Sequence, residues 1–345
     1  MRIHALVDSD TTLRDLPAYV RLTEQLGFDG LEIPETRHDA LLGCVLAAEH
    51  STTLTIGTSV ALAFPRSPMT VAVAAWDLQA LSGGRLRLGL GTQIRANIEG
   101  RFAVAWTDPV SRMRDYVTSL RAIWRAFQDG TSLRSETGNY SFTRLQPLFN
   151  PGPIEHPHVP IVLGGVGAEM CELAGQVADG LVTHPTNSTP EYLRSLVLPH
   201  LSTGATAAGR DPTSIELSAV VQTITGRDRA ELDASREAAR PVLAGVLSTP
   251  AYRWTLRSWG RENLAVSLRA LSREGRWAEM AALVDDDVID RMAVVATYPD
   301  LAAALLERYS GLVDTVAVML PLHRCDPDGV RRVVSAVQAG RSTLA

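Results

Sequence analysis

Two stretches decide the fold: Leu54–Pro68, LTIGTSVALAFPRSP, and Ser82–Gln93, SGGRLRLGLGTQ. Each holds an apolar β-type run that ends in small, hydroxylated or glycine residues. Such a pair places exposed backbone at the carboxyl ends of two neighbouring strands, where a (β/α)8 barrel keeps its chemistry. These residues suit a plain core strand poorly. They suit a bed on which a flat ring can lie.

Working outward, strands and helices alternate. Ile3–Val7, Gly30–Ile33, Leu54–Val60 and Leu86–Leu90 read as strands. Leu13–Leu26, Ala40–His50, Met69–Leu81 and Arg112–Phe127 read as helices. Four βα units in a row predict a parallel sheet with crossover helices. Strands at Pro160–Leu163, Gly180–Thr183, Ile215–Thr223 and Thr315–Leu320 bring the count to eight. Helices at Ala168–Val177, Pro190–Ala208, Asp228–Leu247 and Asp328–Ala339 accompany them. The expected fold class is α/β, a (β/α)8 TIM barrel forming one domain over residues 1–345. Two segments fall outside the pattern and read as insertions. One, at about 131–160, holds a hairpin turn at Glu136-Thr137-Gly138-Asn139-Tyr140 and a proline-rich loop. The other, at about 248–285, is helical and carries Trp254, Trp259 and Trp277.

Composition narrows the functional classes. Of 345 residues, 46% are apolar and 21% charged, which is ordinary for a globular chain. A net charge of −5 gives no electrostatic footprint for nucleic acid. All 33 basic residues are Arg, so Schiff-base chemistry and a phosphate-binding lysine are both excluded. Cys44, Cys171 and Cys325 are far apart and form no metal or disulfide pattern, and no histidine pair has ligand spacing on one helix face. No bound metal is expected. Reduced cysteines, no signal-type amino terminus and no long apolar segment lead us to expect a cytoplasmic protein with no membrane partner.

The chemistry-bearing residues cluster at strand ends. Gly57-Thr58-Ser59-Val60 closes the third strand. Gly91, Thr92 and Gln93, with Asn97 just beyond, mark the end of the fourth. Gly164-Gly165-Val166-Gly167 lies between a strand and a helix, where glycines permit close backbone approach and the helix amino terminus attracts an anion. Thr183 and His184 close the next strand. Without lysine, a phosphate there must be held by amides, hydroxyls or Arg. His38 is the residue type best suited to moving a proton at neutral pH.

The third-strand element, the following AFPRSPM, the SGGRLRLGLGTQ element and PIVLGGVGAEMCELAGQVADGLVTH together resemble the bacterial luciferase-like superfamily. The likeness is to its coenzyme F420-dependent oxidoreductase branch, in actinobacterial-type members, and covers Arg2 to about Leu320. It implies an enzyme that moves a hydride between a dissociable deazaflavin and a small organic substrate, reducing an activated C=C or C=N bond. It also implies a non-proline cis peptide at Ser59–Val60, forming a bulge behind the central ring, with Val60 pressed on that ring. The phosphate would lie at Gly164–Gly167, beside Thr183 and His184. On this reading a β-branched residue at Gly165 should weaken cofactor binding more than stability.

Gly91, Thr92, Gln93 and Asn97 would contact the cofactor, and His38 or Glu35 would manage the proton. Sugar-phosphate dehydrogenases of the superfamily have an acidic proton donor where this chain has Ile94, which argues against that substrate class. Many relatives carry an Asp-His pair where this chain has Glu35 and Thr36, so His38 stands two residues late. Arg66, Arg95 and Arg101 could grip an anionic substrate or the cofactor's polyglutamate tail, but read mainly as solvated surface residues. The alternative is an FMN-dependent monooxygenase using the same bed, or a non-catalytic flavin-binding barrel. Members of the superfamily commonly form homodimers, so the resemblance implies one here.

Overall fold

The computed structural model describes residues 1–340. Eight principal strands follow in chain order. They are β1 (Arg2–Leu6), β2 (Gly30–Ile33), β3 (Thr55–Thr58), β4 (Leu86–Gly91), β5 (Ile161–Gly164), β6 (Gly180–Thr183), β7 (Glu216–Ile224) and β8 (Thr315–Met319). Helices separate them, beginning with Leu16–Gln25, Ala40–His50, Pro68–Leu81 and Pro109–Asp129. The fold divides into two compact units. One holds residues 6–182 and 197–217. The other holds 1–5, 183–196 and the described chain from 218 onward.

In the first unit β2 through β6 pair in parallel, in sequence order. Their side chains are buried on both faces: Leu31, Ile56, Leu88, Leu90, Ile161, Leu163 and Leu181 are at most 1% exposed. That is the signature of a parallel sheet covered by helices. Two charged residues interrupt this apolar run. Arg87 bridges Glu32 and Glu216 at 3.0 Å each, and the carboxylate of Glu32 lies over Gly57, where an added Cβ would come within 2.1 Å of it. The hairpin of the first insertion is present, with Ser135–Glu136 antiparallel to Ser141–Phe142.

In the second unit β8 pairs in parallel with both β1 and β7. The segment 248–285 is helical, as its pattern indicates: Arg253–Ser258, Glu262–Arg273 and Trp277–Ala282. With Arg229–Leu247 and Asp286–Met292 these helices enclose a core of their own, around Leu243, Leu247, Leu256, Leu268, Met280 and Ile289. Of the three tryptophans there, Trp254 and Trp277 are about 60% exposed, so only Trp259 packs against that core.

Several elements differ from the sequence reading. The third strand stops at Thr58 rather than Val60, and resumes as Ala61–Leu62 against Leu90 and Gly91. Asn97 does not close a strand; it lies in the short helix Arg95–Gly100. The helix expected over Pro190–Ala208 is broken by a π-turn at Leu193–Val197. Pro199 explains it, since proline has no N–H to return to the carbonyl four residues back. The run Met292–Ala296 contributes a further parallel strand, Ala293–Val295, paired with the end of β7.

Candidate active site

The bed expected at the end of the third strand lies in the first unit. Thr58 donates its hydroxyl to the Gly89 carbonyl at 2.6 Å, and the Ser59 N–H bonds Ile33 at 2.9 Å. The peptide between Ser59 and Val60 is cis. Beyond it the Ala63 N–H bonds the Gly91 carbonyl at 3.0 Å. Three glycines make this path possible. An added Cβ would stand 1.8 Å from the Thr58 oxygen at Gly89, 2.5 Å from Val60 Cγ2 at Gly91, and 3.3 Å from Val60 Cγ1 at Gly164. Val60 therefore sits in a cradle of bare Cα atoms while remaining half-buried.

Two arginines hold the loop behind Val60. Arg66 takes both oxygens of Glu35 at 2.9 Å, one of Asp39 at 2.6 Å, and the Leu62 carbonyl at 2.9 Å. Glu35 in turn accepts the Leu62 N–H at 2.9 Å. Both sides of the Leu62 backbone are thus fixed by one ion pair, whose side chains are 18% and 8% exposed. Arg66 is not a solvated surface residue, because four oxygens replace the water it would otherwise bind. Burial opposes charge on Asp39, but the Arg66 hydrogen bond and charge outweigh it and hold the carboxyl below its ordinary range. Arg112 grips the next turn: it donates to the Phe64 carbonyl at 3.2 Å and the Tyr140 hydroxyl at 3.0 Å, and lies 4.5 Å over the Phe64 ring.

The other expected residues are placed less uniformly. His38 is exposed and borders a cavity of about 20 Å³ beside Asp8, Thr11 and Thr36, room for one water and not for a ring. Thr92 donates its hydroxyl to the Gln93 carbonyl, and Gln93 adopts φ 60°, a left-handed turn closed by its own side chain on the Ile94 N–H. Asn97 is half-buried. Arg95 pairs with Glu99, and Arg101 donates to the Thr36 carbonyl.

Within Gly164–Gly167 the glycines divide. Gly165 gives its N–H to Val182, and a Cβ there would lie 2.8 Å from Leu181. Gly167 precedes the helix Ala168–Val177 with no side-chain cap, and a Cβ on it would meet nothing within 4 Å. Val166 between them is half-buried. The open approach to the helix amino terminus is therefore at Gly167, a suitable anion cradle.

Thr183 and His184 belong to the second unit, where their side chains have partners. Thr183 bonds the Ser188 hydroxyl at 2.6 Å. His184 bonds the Thr186 hydroxyl at 2.9 Å and stacks on Tyr252, with centroids 4.4 Å apart and planes 8° from parallel. Burial pushes the His184 pKa down to about 4, so the ring is neutral. Thr255 adds a hydrogen bond to the Thr186 carbonyl. Neither Tyr252 nor Thr255 was marked by any sequence pattern, because each lies some 70 residues away in a helical segment.

Parallel strands with a glycine-lined bulge at their carboxyl ends define an α/β barrel class, and comparison with known proteins narrows it. Residues 1–315 match the family model described as luciferase-like monooxygenase. An uncharacterized protein of Mycobacterium tuberculosis is 45% identical over 293 residues, covering 85% of this chain and 86% of that one. The 5,10-methylenetetrahydromethanopterin reductase of Methanolobus tindarius is 26% identical, with 87% and 88% covered. The coenzyme F420-dependent tetrahydromethanopterin reductase of Methanopyrus kandleri superposes with a TM-score of 0.82 at 19% identity, over 98% and 99% of the two chains. The fold is a (β/α)8 barrel, and the chain belongs to the luciferase-like monooxygenase family. Among the described residues no helix is long and apolar enough to cross a membrane.

Proposed function

We propose that this protein is an F420-dependent oxidoreductase acting on a small organic substrate, with an activated C=C or C=N bond as the acceptor. The observation that carries the reading is the Val60 cradle, where three glycines clear the backbone around one half-buried β-branched side chain. The residues present fit a flat tricyclic ring with a phosphate tail. Ser59 and Val60 would support the ring, backed by Gly91 and Gly164. Thr92, Gln93 and Asn97 would line its edge. The amide at Gly167 and the amino terminus of the helix Ala168–Val177 would hold the phosphate, with no lysine needed. When bound, the deazaflavin would supply a ring carbon that carries hydride.

His38 would exchange the accompanying proton at its imidazole with solvent or substrate. Glu35, saturated by Arg66 and the Leu62 N–H, would act as a positioning residue that keeps the Val60 loop in place. We also propose a homodimer. The helices Ala40–His50 and Pro68–Leu81 expose Leu42, Val45, Val73 and Leu81 at 38–56%, leaving an apolar face that a second copy would cover.

The deciding experiment is titration of the purified protein with oxidised and reduced F420 and with FMN. Micromolar binding of F420, with FMN weaker by tenfold or more, supports the reading. Tight FMN binding with oxygen uptake on reduction replaces it with an FMN-dependent monooxygenase. Binding of neither replaces it with a non-catalytic barrel.

A further inference from the structure

A groove of about 380 Å³ opens in the helical segment that follows β7. Its apolar side includes Leu247, Pro250 and Val266, and its polar side Arg253, Arg269 and Arg273. Among the described residues no carboxylate lines it. All of these residues belong to one compact unit.

The arginines of this segment are otherwise matched. Arg236, Arg240, Arg257, Arg261, Arg276 and Arg291 each hold an Asp or Glu. Arg253, Arg269 and Arg273 hold none among the described residues, although the chain as a whole carries a net charge of −5. Arg269 and Arg273 also lie one turn apart on the helix Glu262–Arg273, a like-charged spacing that costs stability unless a counter-charge is supplied. Val266, 65% exposed, stands one turn before them. Three unmatched guanidinium groups around an apolar slot complement a ligand with an anionic head and a short hydrocarbon tail. The volume falls in the range of small-molecule pockets.

We propose that this groove is a binding site for a free anionic amphiphile: a carboxylate or phosphate monoester on a medium-length alkyl chain. The guanidinium groups take the head in charge-assisted hydrogen bonds, and the slot takes the first methylenes. The site needs no deazaflavin, so it stands or falls separately from the proposed redox activity.

The test uses the full chain without cofactor, titrated calorimetrically at low salt with decanoate, decanol and acetate. The expected result is one-site, sub-millimolar binding of decanoate. Acetate and decanol should bind at least tenfold more weakly, and raised salt should lower the decanoate affinity. The exposed double variant Arg269→Ala/Arg273→Ala should lose tenfold or more, and Val266→Asp should weaken binding by a similar factor, with circular dichroism unchanged in both. Equal affinity for decanol overturns the proposal in favour of a plain apolar patch, and equal affinity for acetate in favour of a plain cation cluster. Unchanged binding by both variants places the ligand elsewhere and also overturns it. Sedimentation with anionic phospholipid vesicles, without binding of monomeric decanoate, would make the groove a membrane contact and overturn it too. Should the double variant fail to fold, the comparison of the three ligands on the unaltered protein decides alone.

Discussion

At the scale of single residues, charges placed among apolar neighbours carry the largest energetic stakes. Arg87 holds Glu32 and Glu216 inside the strands, with its own side chain 8% exposed and that of Glu32 5%. Arg87→Met leaves two carboxylates without their cation, one of them deeply buried, and should cost about 3–5 kcal/mol in urea unfolding. Glu32→Gln keeps a hydrogen-bond acceptor for Arg87 and should cost less. The proton role proposed for His38 is tested by kinetics. His38→Ala should lower kcat by roughly 10²–10⁴ with F420 affinity nearly unchanged, and His38→Gln should not restore the rate. A normal rate in His38→Ala would assign the proton to solvent or substrate. His38 was marked in the sequence by its residue type, whereas Glu32 and Arg87 were not marked, because the partner of each lies on another strand. Arg66 was marked, but its pairing was not, because its partners Glu35 and Asp39 precede it by 31 and 27 residues.

At the scale of elements, the loop Gly164–Gly167 separates two uses of glycine that look alike in sequence. Gly165 sits against Leu181 and Gly167 faces open space. The structure therefore moves the binding test from Gly165 to Gly167. Gly165→Val should lower Tm by several degrees through overpacking, an effect of about 1–3 kcal/mol. Gly167→Val, at an ordinary φ of −97°, should leave Tm nearly intact and raise the Kd for cofactor at least tenfold. A Gly167→Val protein with unchanged affinity would remove the anion site from the helix amino terminus. The helices Ala40–His50 and Pro68–Leu81 allow a second test at this scale. Leu42→Glu with Val73→Glu puts charge on their exposed apolar face. Light scattering should then report a monomer for the variant, against the dimer proposed for the unaltered protein.

At the scale of the whole molecule, stability should depend on pH through His184. Its folded pKa of about 4 lies below the reference 6.5, so the folded state takes up its proton later than the unfolded chain. The unfolded state then binds more protons between these values, and stability rises with pH across that window. Read downward, its contribution is complete above about pH 6.5 and is lost as pH falls to 4, by up to about 1.4 kcal/mol per unit. A urea midpoint series from pH 7.5 to 4.5 should show this loss, and His184→Gln should flatten it. A His184 imidazole resonance that titrates near pH 6.5 in the folded protein, assigned by its loss in His184→Gln, would contradict the assignment.

The alternation of strands and helices, the barrel class and the family were legible in the chain alone. Periodicity and glycine-ended strands are local properties, set by which side chains can face a core and which backbones can turn. The position of the bulge was legible through the family resemblance that GTSV and AFPRSPM carry. What each glycine does was not legible. Gly89, Gly91 and Gly164 clear space for Thr58 and Val60, Gly57 for Glu32, and Gly165 for Leu181, and each of those neighbours comes from another element. The Glu35–Arg66–Asp39 cluster and the His184–Tyr252 stack likewise join residues 27 to 68 positions apart. Sequence periodicity reports the environment of a residue along its own element. Partners supplied by another strand or helix exist only once the chain has packed, so the tertiary structure alone decided them.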